Sequence, residues 1–397
     1  MKIGAGAAKR EADIRFGRKA GSMGRNRLER IIRARIAEEG PISFAAFMEM
    51  ALYHPEAGYY MSANTRIGPE GDFYTAPHLH AMFGWLVAIQ LDQIKRIMGD
   101  PEAFTILEVG AGQGHLAHGV IAYINDRLNW RPGWRYIIVE RNPKVIEKQK
   151  ENLGRLKERV GWRASLDQVA PFCGCVLSNE LLDAFPVHLV HKKGRFREIY
   201  VGIHNSGGFT EIDGDLGTPD LAAYIQKYRL PAIDGYRTEV NLKLKAYLAD
   251  LDRILSEGFV VTIDYGYSAR EYYTEERSSG TLLCYTRHTA GADPYVQVGR
   301  QDITAHVNFS SLKDWGTALG FRTIGYCSQG AFLASLGVDK LVGRQLEADA
   351  AFYAELPKIK SLLFGMGDSH QVMIQYKGRS DVDRLQGFEL SNRRNRL

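Results

Sequence analysis

TILEVGAGQGHLAHGVIAYINDRL, residues 105–128, begins as a short apolar run, turns through three glycines and continues with helical spacing. Thr105–Gly110 reads as a strand and His115–Leu128 as a helix, because an apolar run that gives way to a 3.6-residue period marks a strand-to-helix junction. Glycines there let the backbone turn sharply and approach a ligand that a Cβ would strike. The alternation continues outward. RYIIVE (135–140) is a second strand, Pro143 starts a helix that runs to about Lys157, and CVLSNE (175–180) and FVVTIDYG (259–266) are further strands. Short strands alternating with longer amphipathic segments predict an α/β fold: a doubly wound, mostly parallel, seven-stranded Rossmann-like sheet with helices on both faces.

Around this core, residues 26–52 read as two helices broken at Gly40-Pro41, with Ser43 as N-cap of the second. Residues 53–77 are dense in Gly, Pro and Tyr without a period. A loop that long inside a domain points to function. HLVHKKGRFREIYVGI (188–203) is a hairpin about a Lys-Gly turn, and EVNLKLKAYLADLDRIL (239–255) a helix. TLLCYT (281–286), a helix near Ser311–Leu319, FRTIGYC (321–327) and QVMIQY (371–376), an edge or antiparallel strand, complete the chain. The expected segments are a basic arm (1–35), an N-terminal helical and lid segment (36–100), a cofactor-binding core (101–187), an inserted hairpin and helical substrate subdomain (188–257), the rest of the core (258–376) and a polar tail (377–397).

Composition narrows the function classes. The 397 residues are 45% hydrophobic with a formal net charge of +5. Eleven Lys/Arg against three acids lie in residues 1–35, and six against three in 377–397, so the body between them is acidic. Basic arms on an acidic body read as solubilising ends rather than as a phosphate-binding surface, so nucleic acid is not the expected partner. Four cysteines suit a reducing compartment, and Cys173-Gly-Cys175 lacks the two-residue spacer of a redox or zinc pair. No His-Glu-x-x-His occurs, His188 and His191 read as hairpin residues, and no metal is expected. Nor is there an apolar run of about eighteen residues to span a membrane. An Arg-rich start interrupted by Glu11 and Asp13 favours bacterial cytoplasm, or the mitochondrial matrix in a eukaryote.

The chemistry gathers at strand ends. Gly110, Gly112 and Gly114 with Glu108 suit a nucleotide-type ligand. A dinucleotide fingerprint would place its third glycine where His115 stands. The spacing resembles the first motif of class I S-adenosylmethionine (SAM) methyltransferases more than an NAD loop, and an NAD-dependent oxidoreductase stays open as the alternative. Glu140, at the tip of the second strand, is placed to accept from ribose hydroxyls. Asn179, Glu180 and Asp183 follow a sheet strand and should border the reacting group. The Asn/Asp-Pro-Pro-Tyr of amino-methyltransferases is absent, and two carboxylates three residues apart suit a guanidinium fork. Alternatively, Asp183 caps the turn and only Glu180 faces the site.

Five segments in order resemble the MidA family: Gly71-Asp72-Phe73-Tyr74-Thr75-Ala76-Pro77, EVGAGQG (108–114), NELLDAFPVH (179–188), Ile263-Asp264-Tyr265-Gly266 and DITAHVNF (302–309). That family includes a mitochondrial arginine methyltransferase needed for respiratory complex I assembly. The resemblance spans roughly residues 40–375. It implies a class I methyltransferase fold, SAM as cofactor, and a protein arginine as methyl acceptor, in the mitochondrial member on a complex I subunit. With the strand-end readings above, the expected catalytic residues are Glu180, Asp183 and Asn179, and the expected cofactor-binding residues are Gly71, Asp72, Phe73, Thr75, Glu108, Gly110, Gly112, Gly114, Glu140, Asp167 and Asn179. Gly71 to Thr75 would form a lid over the methionine end. Ala111 stands where the family often has proline, and the basic arm is outside the shared pattern. A SAM-binding assembly factor without turnover is the non-enzymatic alternative.

Overall fold

Seven strands build the main sheet of the computed structural model, which describes residues 27–61, 76–286 and 289–397. In chain order they are β1 (Thr105–Val109), β2 (Arg135–Val139), β3 (Val160–Arg163), β4 (Phe172–Asn179), β5 (Leu255–Tyr267), β6 (Arg322–Ser328) and β7 (His370–Lys377). In space they run β3-β2-β1-β4-β5-β7-β6. Only β7 is antiparallel to its neighbours. A two-residue strand, Val307–Asn308, extends the sheet at the end of β5. β1 and β4 are buried along nearly their whole length, the pattern of parallel strands covered on both faces.

Helices Met82–Ile97 and His115–Tyr123 cover one face. They meet backbone to backbone, since a Cβ on Gly84 would stand 2.8 Å from the Cα of Gly119. Helices Lys243–Ile254 and Phe309–Ala318 cover the other face. Chain order reverses between β1 and β4, so the crossovers diverge there and leave a crevice outside the strands' carboxyl ends.

A second, five-stranded sheet lies beside this core. Its hairpin, His188–Lys193 with Arg195–Ile203, turns on Gly194 at φ 66° as expected, and gains Phe209–Gly214, Arg237–Val240 and Ile42–Ser43. Ser43 Oγ accepts from the Ala46 N–H at 3.2 Å and caps helix Phe44–Tyr53. Leu28, Ile32, Phe44 and Phe47 from the N-terminal helices share one core with Leu189, Ile199 and Val201 of this sheet. The N-terminal and inserted segments, drawn apart in the sequence, thus pack as one body.

Several boundaries differ from the sequence reading. The helix expected from residue 239 starts at Lys243, because Arg237–Val240 is taken up by the second sheet. QVMIQY is antiparallel but interior, between β5 and β6. β3 went unread, since VGWR has no apolar run. TLLCYT does not join the main sheet; Leu283–Thr286 pairs in a small three-stranded sheet with Thr289–Gly291 and Asp302–Thr304. The C-terminal segment is not a solvated tail. Val382, Leu385 and Phe388 are buried, and the N–H groups of Gln386 and Gly387 donate to the side-chain oxygens of Gln93 and Gln90 at 2.8 and 3.0 Å. All four cysteines are free. Among the described residues no helix is long and apolar enough to cross a membrane, and no cluster of ligating side chains could hold a metal.

Candidate active site

At the carboxyl ends of β1, β2 and β4 a cleft of about 530 Å³ opens. Its floor is the glycine turn. Gly110, Gly112 and Gly114 all take left-handed φ, 71°, 50° and 84°. A Cβ on Gly110 would stand 2.7 Å from Leu181 Cδ1, whereas one on Gly112 would meet nothing within 4 Å. Gly112 therefore leaves a backbone edge bare where a ligand can lie against it. Glu108 lines the cleft and accepts from the Tyr136 hydroxyl at 2.7 Å; burial pushes its carboxyl up to about 7 in spite of that bond. Glu140 also lines the cleft, with Oε1 accepting from the Asn142 N–H at 2.8 Å, and burial raises it too. Asp167 sits at the rim, exposed, 3.1 Å from Arg253 Nη2.

The turn after β4 carries the expected reacting groups. Glu180 adopts φ 49°, a left-handed conformation that costs a residue with a Cβ about 1–3 kcal/mol and that its surroundings must impose. Two features do so. The Glu180 N–H donates to Ile263 O at 2.9 Å, and the buried Asp264 carboxylate accepts from the Leu181 and Leu182 N–H groups at 3.1 and 2.8 Å. Asp264 also accepts from the Tyr265 N–H at 2.8 Å, and burial, offset in part by these amides, lifts it to about 7. The Ile-Asp-Tyr-Gly segment is thus the clamp on the turn that presents Glu180. Gly266 has its own reason: a Cβ there would run into Val307 O, where DITAHVNF docks on the end of β5.

Glu180 lines the cleft, and its Oε1 faces the Ala76 N–H at 3.4 Å, Asn179 Nδ2 at 3.3 Å and His370 Nε2 at 3.4 Å. Asn179 Oδ1 is buried in the cleft wall with no hydrogen-bond partner among the described residues. Asp183 does not join them on the cleft wall. It is buried, and burial together with Asp264, Asp302 and Glu180 raises its carboxyl well above the usual range. The turn is clamped by Asp264, and Glu180 and Asp183 do not face the cleft together as a fork. Gly71, Asp72, Phe73 and Thr75 lie outside the described residues.

Sequence reasoning missed much of the wall. Tyr53 donates to Ala184 O at 2.9 Å and Tyr60 to Asp302 Oδ1 at 2.8 Å, their rings stacked 5.5 Å apart, with the Arg141 guanidinium 5.1 Å over Tyr53. The rings of His78 and His115 meet at 4.4 Å, and burial lowers both, His78 to about 4. His115 carried a signal, as the residue in place of a third glycine. His370 carried none.

A bare glycine edge, an unpartnered amide oxygen and strand-tip carboxylates from β1 and β2 fit a nucleoside that bears a cationic amino-acid end. Comparison with known proteins agrees. Residues 86–327 match the family described as S-adenosyl-L-methionine-dependent methyltransferase. A crystal structure of a Burkholderia thailandensis protein bound to S-adenosyl-homocysteine is 33% identical and superposes with a TM-score of 0.86 over 93% of this chain and 96% of that one. The Drosophila melanogaster protein named protein arginine methyltransferase NDUFAF7 homolog, mitochondrial, is 28% identical over 78% of this chain and 75% of its own. The human protein of that name is 25% identical over 77% and 72%. The NAD reading falls with these matches. The chain belongs to this family of S-adenosyl-L-methionine-dependent methyltransferases and is an enzyme that uses S-adenosyl-L-methionine.

Proposed function

We propose that the enzyme methylates a guanidine nitrogen of a protein arginine. The observation that carries this reading is Glu180: an acidic side chain held on the cleft wall by a left-handed backbone, with Oε1 occupied and no hydrogen bond to Oε2 among the described residues. A carboxylate oxygen presented this way is suited to a guanidinium N–H. The relatives named as protein arginine methyltransferases support the same acceptor.

The cofactor supplies an electrophilic methyl whose leaving group is a neutral thioether. This chain's residues do the rest by binding and alignment. Gly110 and Gly112 would let the backbone pass under the ligand, Glu140 would accept from ribose hydroxyls, and Asn179 Oδ1 would take an N–H of the methionine ammonium, with Glu108 close by on the cleft wall. Gly71 to Thr75 would close over that end. Glu180 Oε2 accepts from the guanidinium and draws its positive charge away from the attacking nitrogen. Transfer would form a carbon–nitrogen bond as the carbon–sulfur bond breaks, and the proton that the nitrogen sheds would leave by way of the Glu180 carboxylate. Asp183, buried and off the cleft wall, would support the turn behind Glu180 rather than meet the guanidinium.

A respiratory complex I subunit, as in the mitochondrial member of the family the sequence resembles, is the first substrate to try, with the enzyme in bacterial cytoplasm or in the matrix. Glu180→Gln is expected to lower methyl transfer by ~100-fold or more while SAM binding stays within about threefold. Unchanged transfer in this variant would remove Glu180 from the reaction. Binding without any transfer by the parent protein would favour the assembly-factor reading.

A further inference from the structure

The reaction just described uses no histidine, yet one is buried against its central carboxylate. His370 opens β7 opposite Tyr265 of β5 and has no solvent exposure. Its Nδ1 lies 2.9 Å from Met366 O and 3.1 Å from Ser369 Oγ. A carbonyl only accepts, so Nδ1 carries a proton, and in the neutral ring Nε2 would be a bare acceptor. That Nε2 faces Glu180 Oε1 at 3.4 Å, at ion-pair distance though outside hydrogen-bond alignment, and has no other partner among the described residues. A lone pair turned toward a carboxylate inside a protein is repulsive; a second proton turns the same contact into an attraction. The Tyr265 ring, centred 3.8 Å away, fixes the imidazole plane.

We infer that His370 works as an imidazolium that holds Glu180 by Oε1, so that Oε2 alone is presented to the arginine; His370 is a positioning residue for the methyl transfer. The inference rests on the arginine reading above. Every group facing the ring fits the assignment. Glu180 comes from the turn after β4, Asp264 and Tyr265 from β5, and His306 from the segment that docks on β5. Burial opposes the charge on His370, but Glu180, the Met366 carbonyl and Asp264 outweigh it and raise the ring above its ordinary value. His306, lowered to about 4 by burial, with Arg277 and His370 adding to the effect, is neutral and does not compete.

The test has two arms on the full-length protein. In the first, ring-nitrogen NMR of isotope-labelled histidine follows His370 against pH. The ring is expected to titrate above the ordinary histidine value, and Glu180→Gln should lower that titration measurably. A titration that ignores Glu180→Gln would overturn the pairing. In the second arm, methyl transfer to arginine peptides is measured for His370→Ala and His370→Gln. Alanine should cut kcat by about tenfold or more with KM for SAM within about twofold, since a small misplacement of an aligning group is costly. Glutamine can donate from Nε2 without titrating. It should restore most of kcat and abolish the fall in kcat at high pH that the parent shows as His370 loses its proton. Unaltered SAM binding by both variants reports an intact fold; if alanine abolishes it, the glutamine pH profile decides. A kcat for His370→Ala near the parent's, or an unchanged alkaline limb in His370→Gln, would sink the proposal. If the parent methylates no arginine, the arginine reading fails, and the NMR arm still decides the pair.

Discussion

Adding one methyl at Gly112 and one at Gly110 separates ligand space from packing. Both glycines are left-handed, so alanine costs each about 1 kcal/mol of backbone strain. At Gly112 the new carbon meets no protein atom and enters the cleft, so Gly112→Ala should melt within a few degrees of the parent yet bind SAM roughly tenfold or more weakly. At Gly110 it collides with Leu181, so Gly110→Ala should lower the melting temperature more than Gly112→Ala does and disturb the Glu180 turn as well. Equal melting temperatures with equal loss of binding would contradict this division.

Glu108 makes a second residue-scale prediction. Its carboxyl moves from 4.5 to about 7 on burial, so the folded protein holds the proton more tightly than the unfolded chain, and the ligand-free enzyme loses stability as pH rises between those values. A cationic ligand favours the ionised form and reverses the sign. SAM affinity should therefore strengthen by up to about tenfold per pH unit below 7 and level off above it. Calorimetry from pH 6 to 8 should show this slope in the parent and a flat line in Glu108→Gln; a flat parent would place Glu108 away from the cofactor's charge.

At the scale of the element, the turn after β4 depends on β5. Ile263 sits in register with Asn179, which brings the Asp264 carboxylate under the Leu181 and Leu182 amides. Asp264→Ala leaves those N–H groups without their acceptor, at about 1–3 kcal/mol for each that stays buried, and releases Glu180 from its left-handed conformation. Asp264→Asn keeps an acceptor. The alanine variant should therefore lose both melting temperature and kcat, and the asparagine variant much less of either; identical behaviour would mean that the carboxylate acts through charge alone. The strand-to-helix junction at 105–114 and the strand ending in Asn179 were legible because their signals are local: an apolar run, then glycines or polar groups. Asp264 was visible only as part of a motif, since the N–H groups that donate to it lie some eighty residues earlier. His370 was illegible, because it reaches Glu180 only when β7 inserts antiparallel between β5 and β6. Asp183 misled for the opposite reason. Spacing from Glu180 suggested a pair on the cleft wall, and the turn buries Asp183 away from it.

For the whole molecule, the sheet order that creates the crevice is closed by the last residues of the chain. Phe388 packs against Gly325 of β6, and Val382 and Leu385 are buried with it. Three such side chains contribute on the order of 5 kcal/mol, so truncation after residue 380 should lower the melting temperature by roughly 5–10 °C, although no tail residue lines the cleft. The sequence reading took this segment for a solvated end because its charges outnumber its apolar residues; three well-spaced hydrophobes were enough to seat it. The second sheet was half legible: the hairpin announced itself through alternation and Gly194, while Ile42–Ser43, two residues from a distant segment, did not. The central claim is the acceptor atom. The most direct test supplies the enzyme with methyl-labelled SAM and a candidate complex I subunit, then locates the label by mass spectrometry of the digested partner. Label on an arginine side chain, absent with Glu180→Gln, is the expected result. Label on lysine, on a carboxylate or on a small molecule, with arginine unmodified, would contradict it.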